Sequence, residues 1–327
     1  KLKILFPNKK IAICVLSYNT EKYISKVLKK LSELNLPILV IDDGSLDQST
    51  KIIEDEINTN KSISLLKNEK NEGAGSACRK IIHEAKKQGY EYVVKVDGDD
   101  QFQISDIKIV VNNIEKNEFE FVKSNRFWEL GILGTMPKIR YFGNLLATQF
   151  LHFAIGSNKL YDPLNGLFGV KTEIYKSLEN KRYPKRYGYP FFITCQAILN
   201  GYKSLQINNK IKYEDQKSNI KPYRLLISLI FQTLFFNRKK FQLKKKNFQL
   251  HKSLFYEIFF RILLFLDCLV LLRFILGYFT KIPIFQTNIA GWGIMLVIFL
   301  AISVFVYSIS FKLENIYRNK YIFLENE

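Results

Sequence analysis

Tyr92-Val-Val-Lys-Val-Asp97-Gly-Asp-Asp-Gln101 is the stretch on which the fold turns. A short apolar run that stops on a cluster of acids reads as a buried strand whose C-terminal end emerges at a polar edge. Asp97 and Asp99 are separated by one residue. Alternate side chains of an extended segment share a side, so both carboxylates can face one cation. Gly98 lets the backbone pass closely there. Mg2+ and Mn2+ are hard ions that take oxygen ligands and complete their shells with water and phosphate. Gln101 offers a further amide oxygen. An acidic turn in solvent would give the same letters, so the weight falls on whether the pattern recurs.

It recurs upstream. Lys10-Ile-Ala-Ile-Cys-Val-Leu16 is a continuous apolar run closing on Ser17-Tyr18-Asn19, and Pro37-Ile-Leu-Val-Ile41 closes on Asp42-Asp43-Gly44-Ser45. Helical spacing follows each, through Val27, Leu28 and Leu31, and then from Ser49 to Ile57. A third strand is predicted over Ile63–Leu66, and Asn71-Glu-Gly73-Ala-Gly75 opens a helix that runs through Ala85. Strands alternating with helices imply an α/β domain with a mostly parallel sheet. Polar clusters at successive strand ends mark the sheet edge where ligands bind in such folds. No glycine follows the first strand, which excludes a dinucleotide fingerprint, and no P-loop is present. Phosphates are therefore expected to be met through Asp97 and Asp99.

These motifs resemble those of family 2 glycosyltransferases: Val15-Leu-Ser-Tyr-Asn19, Ile41-Asp-Asp-Gly-Ser45 with Asp47, Asn71-x-Gly73, and Asp97-Gly-Asp99-x-Gln101. Further along, Ser124-Asn-Arg126, Met136-Pro-x-x-Arg140-x-x-Gly143-Asn144 and Asp162-Pro-x-Asn165-Gly166-x-Phe168 are similar to the branch acting on dolichol and polyprenyl phosphates. The resemblance implies a GT-A nucleotide-sugar-binding domain. It puts Ser17, Tyr18, Asn19, Glu21, Asp42, Asp43, Gly44, Ser45, Asn71 and Gly73 around the nucleoside and sugar donor. It assigns Asp97, Asp99 and Gln101 to a Mg2+ or Mn2+ ion on the diphosphate, Arg126 and Arg140 to phosphate, and Asp162 with Asn165 to the sugar and acceptor. Guanidinium forks suit phosphate oxygens. Two departures stand out. Gln216-Lys-Ser-Asn-Ile-Lys221 has Lys217 and Lys221 where the family carries an arginine segment, and Asn165 replaces a serine.

The C-terminal third has a different character. Ile289 to Phe311 runs without a charge, which is enough apolar length to cross a bilayer. Ile258 to Phe279 is apolar but contains Arg261, Asp267 and Arg273, and with the later run it reads as a two-helix transmembrane hairpin. Tyr223–Phe236 is too short to span and reads as an interfacial amphipathic helix. The expected division is 1–222 catalytic, 223–252 juxtamembrane, and 253–327 hairpin with tail. The chain of 327 residues has a formal net charge of +19, with Arg238, Lys239, Lys240, Lys244, Lys245, Lys246 and Lys252 crowded before the apolar runs. Beside such runs, lysines with phenylalanines read as a lipid-headgroup patch rather than a nucleic-acid surface. The positive-inside rule puts both ends of the hairpin, and the catalytic domain, on the cytoplasmic face. Self-association through the transmembrane helices is a further expectation. Four scattered cysteines form no disulfide framework or zinc site.

An anionic lipid phosphate as acceptor needs little general-base help, so positioning and charge stabilisation would carry an inverting transfer. A hydroxyl acceptor on a glycan would instead require a base, with Asp162 or Glu214 as candidates. The remaining alternative is a membrane scaffold that binds nucleotides without turnover.

Overall fold

The computed structural model describes residues 10–116, 119–127, 138–209, 222–279 and 289–324. Two compact units emerge, Lys1–Phe236 with Tyr321–Glu327, and Asn237–Lys320.

The first unit is a mixed sheet of eight strands in the order β3-β2-β1-β4-β6-β5-β7-β8. The strands are β1 (Ile11–Ser17), β2 (Ile38–Asp42), β3 (Ile63–Lys67), β4 (Tyr92–Asp97), β5 (Phe121–Asn125), β6 (Phe168–Lys171), β7 (Ser204–Asn208) and β8 (Ile322–Leu324). The first four are parallel neighbours, as the apolar runs imply. β6 runs antiparallel to both β4 and β5, so the mostly parallel sheet carries one reversed strand at its centre. Every residue of β1 and β2 is buried, which is why those runs lack the alternation of a half-exposed strand. α1 (Ile24–Ser32) buries Ile24, Val27, Leu28 and Leu31, one stripe at helical spacing. α2 (Ser49–Thr59), α3 (Ala74–Lys87), α4 (Ile104–Glu115), α5 (Lys138–Ile155), α6 (Tyr175–Leu178) and α7 (Tyr189–Leu199) complete the layers. β8 comes from the C-terminal tail and pairs with β7.

α8 (Pro222–Lys246) is one continuous helix. Its first half buries Leu229 and Phe236, the latter against Phe192 of α7, and exposes Tyr223, Leu226, Ile227, Ile230, Phe231 and Leu234. The exposed stripe has the spacing of an amphipathic helix whose apolar side is uncovered among the described residues.

The second unit pairs α9 (His251–Phe279) with α10 (Ile289–Arg318) in antiparallel fashion: Ser253 meets Ser310, and Ser303 donates to Asp267 at 2.6 Å. Arg273 lies over Trp292, 5.3 Å from the ring centre. Only one helix among the described residues, Gly291–Tyr321, has the length and mean hydropathy (2.6) of a membrane span. The expected hairpin of two spans is corrected to this single one; the charged Arg261, Asp267 and Arg273 set α9 apart. The basic patch is corrected as well. Lys240 and Lys244 are not on a headgroup-facing surface: each is 1% exposed, and Lys244 pairs with Glu257 at 2.6 Å and Glu314 at 2.7 Å. Lys245 and Lys246, one helical step on, are exposed.

Candidate active site

The segments that follow β1, β2 and β3 are cross-linked by short polar bonds. Asn19, at φ 52°, donates its backbone amide to Ser45 Oγ at 2.9 Å and accepts from the Leu46 amide at 2.9 Å. Glu21 accepts from the Gln48 amide at 3.1 Å. Ser17 is buried against Thr20, whereas Tyr18 is exposed. Asp42 accepts from Thr50 at 2.6 Å and from Ser45. Asp43 reaches across to the next loop and accepts from Asn68, the Glu72 amide and the Gly73 amide at 2.7–3.0 Å. Gly44, at φ +71°, lies so close to the Lys70 and Asn71 backbone that any side chain would collide. Asn71 Oδ1 is buried without a hydrogen-bond partner among the described residues. The motifs that seemed independent along the chain thus form one hydrogen-bonded rim.

At the end of β4, Asp97 keeps a third of its side chain exposed, and Lys95 Nζ donates to its Oδ1 at 2.5 Å. Gln101 donates its amide NH2 to Asp99 at 2.7 Å. Asp100, at φ +59°, turns away to Lys26 and Lys30, both at 2.6 Å. Burial, and then the charge of Asp97, push the Asp99 carboxyl up to about 7. Two close carboxylates with oxygen-only chemistry fit a hard divalent cation. No group of three or more His, Cys, Asp or Glu able to hold a metal is found among the described residues. Such an ion would rest on Asp97 and Asp99 and on oxygens brought by the donor.

The third part is the loop before β6. Asp162, at φ 51° and fully buried, takes both Arg126 Nε and Nη2 at 2.6 Å and the Arg126 amide at 3.0 Å. Asn165, also fully buried, donates to Asp162 at 3.2 Å and accepts from the Leu167 amide at 3.1 Å. Asp162 and Asn165 therefore build the loop and orient Arg126. A carboxylate so enclosed is not available as a general base. Arg140 lies in the first turn of α5, half-buried, one turn ahead of the exposed Phe142, Leu145 and Leu146. Lys217, Lys221 and Glu214 lie outside the described residues.

Sequence reasoning missed three side chains. Lys95 and Lys123 are fully buried lysines inside otherwise apolar strands, and Tyr189 lays its ring over Lys95 at 5.3 Å. A lysine inside a buried-strand pattern, two residues ahead of a paired-acid motif, was the signal available. The Lys185 and Arg186 carbonyls were also missed: they take the first free amides of α3, from Ser76 at 2.8 Å and Gly75 at 3.1 Å.

The strand ends of this α/β sheet thus carry a hydrogen-bonded acidic rim, a pair of neighbouring carboxylates and an arginine fixed by a buried aspartate. The family described as glycosyl transferase family 2 matches residues 12–178, just over half of the chain, and the chain belongs to that family. It is thus a glycosyltransferase using a nucleotide-sugar. It is 30% identical over 214 residues to the UDP-N-acetylglucosamine–dolichyl-phosphate N-acetylglucosaminyltransferase of Methanococcus voltae, covering 62% of this chain and 83% of that one. It is 28% identical over 130 residues to a dolichyl-phosphate beta-glucosyltransferase of Dictyostelium discoideum, covering 38% and 39%. Among solved structures, it is similar to a Pyrobaculum calidifontis mannosyltransferase in complex with GDP-Man and Mn2+, at 12% identity and TM-score 0.46, over 95% of this chain and 88% of that one.

Proposed function

We propose that this glycosyltransferase moves a sugar from a nucleotide-diphosphate sugar to a polyprenyl-type lipid phosphate at a membrane surface, with inversion at the anomeric carbon. The observation that carries the reading is the Arg126–Asp162 pair. Asp162 is fully buried with both oxygens on the guanidinium, so at this loop the described residues offer a fixed cation and Asp162 is not a free base. That suits an acceptor that is already an anion and disfavours a hydroxyl acceptor, which needs its proton removed. The names of the Methanococcus and Dictyostelium relatives, both dolichyl-phosphate transferases, point the same way. So do the exposed apolar stripes on α5 and the first half of α8, and the single apolar span, which we read as an anchor with α9 as its packed companion.

In this mechanism the rim from Ser17 to Gly73 binds the nucleoside, with Asp43 fixing the Asn71–Gly73 turn and Asn71 Oδ1 receiving a ligand donor. Asp97 and Asp99 would hold Mg2+ or Mn2+, with Gln101 bracing Asp99. A divalent ion there supplies charge stabilisation to the departing diphosphate. Arg126, held planar and bidentate by Asp162, orients the acceptor phosphate for attack opposite the leaving group, and Arg140 adds a second cation. The acceptor phosphate oxygen forms the new bond to the anomeric carbon as the bond to the diphosphate breaks. Incubating the membrane-bound chain with a panel of radiolabelled nucleotide-sugars and a prenyl phosphate tests this. A chloroform-soluble sugar–phosphate–lipid product is expected. Equal labelling of a soluble sugar alcohol would replace the lipid reading with the hydroxyl one.

A further inference from the structure

Lys95 of β4 and Lys123 of β5 both stand opposite Phe168 of β6. Residues paired across adjacent strands point to the same face, so the two side chains leave the sheet on one side, beneath the Asp162–Gly166 loop. Neither is exposed at all. Lys123 Nζ donates to the Asn165 carbonyl at 3.2 Å. Lys95 Nζ reaches Asp97 Oδ1 at 2.5 Å under the Tyr189 ring. Gly166 closes the remaining side: a Cβ there would overlap Asp97 Oδ2 and lie 2.9 Å from Lys95 Nζ. Asp97 is thus held between an ammonium and a backbone, with one exposed aspect left.

We propose that Lys95 is a positioning residue for Asp97, whose ammonium occupies the carboxylate in the absence of donor and makes tight divalent-cation binding conditional on the donor diphosphate. The proposal rests on the reading of Asp97 and Asp99 as the cation's ligands. Its physical basis is charge. Lys95, in contact with Asp97, cancels one unit of the negative charge that Asp97 and Asp99 can offer a cation. A divalent ion arriving alone meets less attraction and a buried like charge a few ångströms away, where screening is weak. A nucleoside diphosphate brings its own oxygens and negative charge, which restores the balance. Lys95 precedes Asp97 by two residues in an extended strand, so it approaches from the same side, from below and out of the cleft. A lysine that only filled space would leave metal affinity unchanged when its charge alone is removed.

The test is Mn2+ binding to the full chain in detergent, read from the EPR signal of the free ion, with Mn2+ alone and with UDP or GDP added. Wild type is expected to bind Mn2+ weakly alone and more tightly with one of the nucleotides. Lys95→Gln, which keeps a hydrogen-bond donor without the charge, is expected to bind Mn2+ alone about tenfold more tightly than wild type, the scale of one screened unit charge. Lys95→Arg should return wild-type behaviour, and Lys95→Met is the second neutral variant should Lys95→Gln not fold. If nucleotide tightens Mn2+ in wild type but a folded neutral variant binds Mn2+ alone no better, the role of Lys95 is overturned and the cation site stands. If wild type binds no Mn2+ with either nucleotide, both readings fall.

Discussion

Each unit of this protein buries lysines against carboxylates, and the two clusters do opposite things with the same chemistry. In the helical unit, Lys244 lies between Glu257 and Glu314, and all three are no more than 2% exposed. Lys240 and Arg318 add further cations around Glu314, and Arg261 pairs with Glu257 from the rim. These charges tie the end of α8 to α9 and α10, and every carboxylate there has a cation. In the catalytic unit, Lys95 also meets a carboxylate from full burial, but Asp97 stays a third exposed, and burial and the charge of Asp97 push its neighbour Asp99 above the usual carboxylate range. The sealed cluster is a tether, whereas the half-open one keeps unsatisfied negative charge at a surface where a ligand can relieve it. The contrast shows that pairing alone does not mark a site. What marks it is a carboxylate left under-compensated at an accessible edge.

The comparison can be broken most severely at Asp99. Asp99→Asn is expected to reduce transfer by about a hundredfold or more, the scale of losing a preorganised charge interaction in the transition state, with no fall in melting temperature. Steady-state turnover with a melt on the same sample checks both. A melt that collapses along with activity would put Asp99 in the tether class.

Removing Arg126 probes the oriented arginine. Arg126→Met leaves Asp162 buried and unpaired, so a destabilisation of about 3 kcal/mol or more should accompany lost turnover. Arg126→Lys should recover part of the stability but little activity, because one ammonium cannot replace a two-pronged fork. Denaturant titration and turnover with a short prenyl phosphate separate the two effects.

Lys244→Met should destabilise the helical unit by about 3 kcal/mol, since it removes the cation that two buried carboxylates share. Lys245→Gln and Lys246→Gln, on exposed positions, should stay within about 0.5 kcal/mol of wild type. Denaturant unfolding followed by helical circular dichroism checks this. Equal effects at all three positions would restore the basic segment to a plain surface patch.

A pH dependence is expected at Lys123. Burial lowers this lysine from 10.5 to about 7 in the folded chain. Between those values the unfolded state binds the extra proton, so this group makes stability rise with pH across that window. Lys123→Met should flatten that rise, seen as a melting-temperature difference between wild type and variant that changes from pH 7 to pH 10.

The catalytic edge was legible because its motifs lie at strand ends, and strand ends follow from apolar runs that stop abruptly. β1, β2, β3 and β4 fall within a residue of the expected runs; for β1, β2 and β4 this is because a strand buried on both faces leaves a near-continuous hydrophobic record. The reversed β6 left no such record. It is four residues long, and pairing direction depends on which strand the chain returns beside.

The sequence by itself determined the α/β alternation, the acidic rim, the paired carboxylates and one apolar helix of spanning length. Local period and composition encode these features, and they need no partner to be read. Tertiary structure alone decided which charges are inside. Lys95 and Lys123 read as ordinary strand residues until β6 and the Asp162–Gly166 loop cover them. Lys240 and Lys244 read as headgroup contacts until Glu257 and Glu314 arrive from distant helices. Asp162 reads as a free acid until Arg126, 36 residues earlier, closes on it. A side chain's charge is written in its codon, but its solvation is set by whatever the fold brings within a few ångströms, and solvation decides whether that charge binds, positions or merely holds.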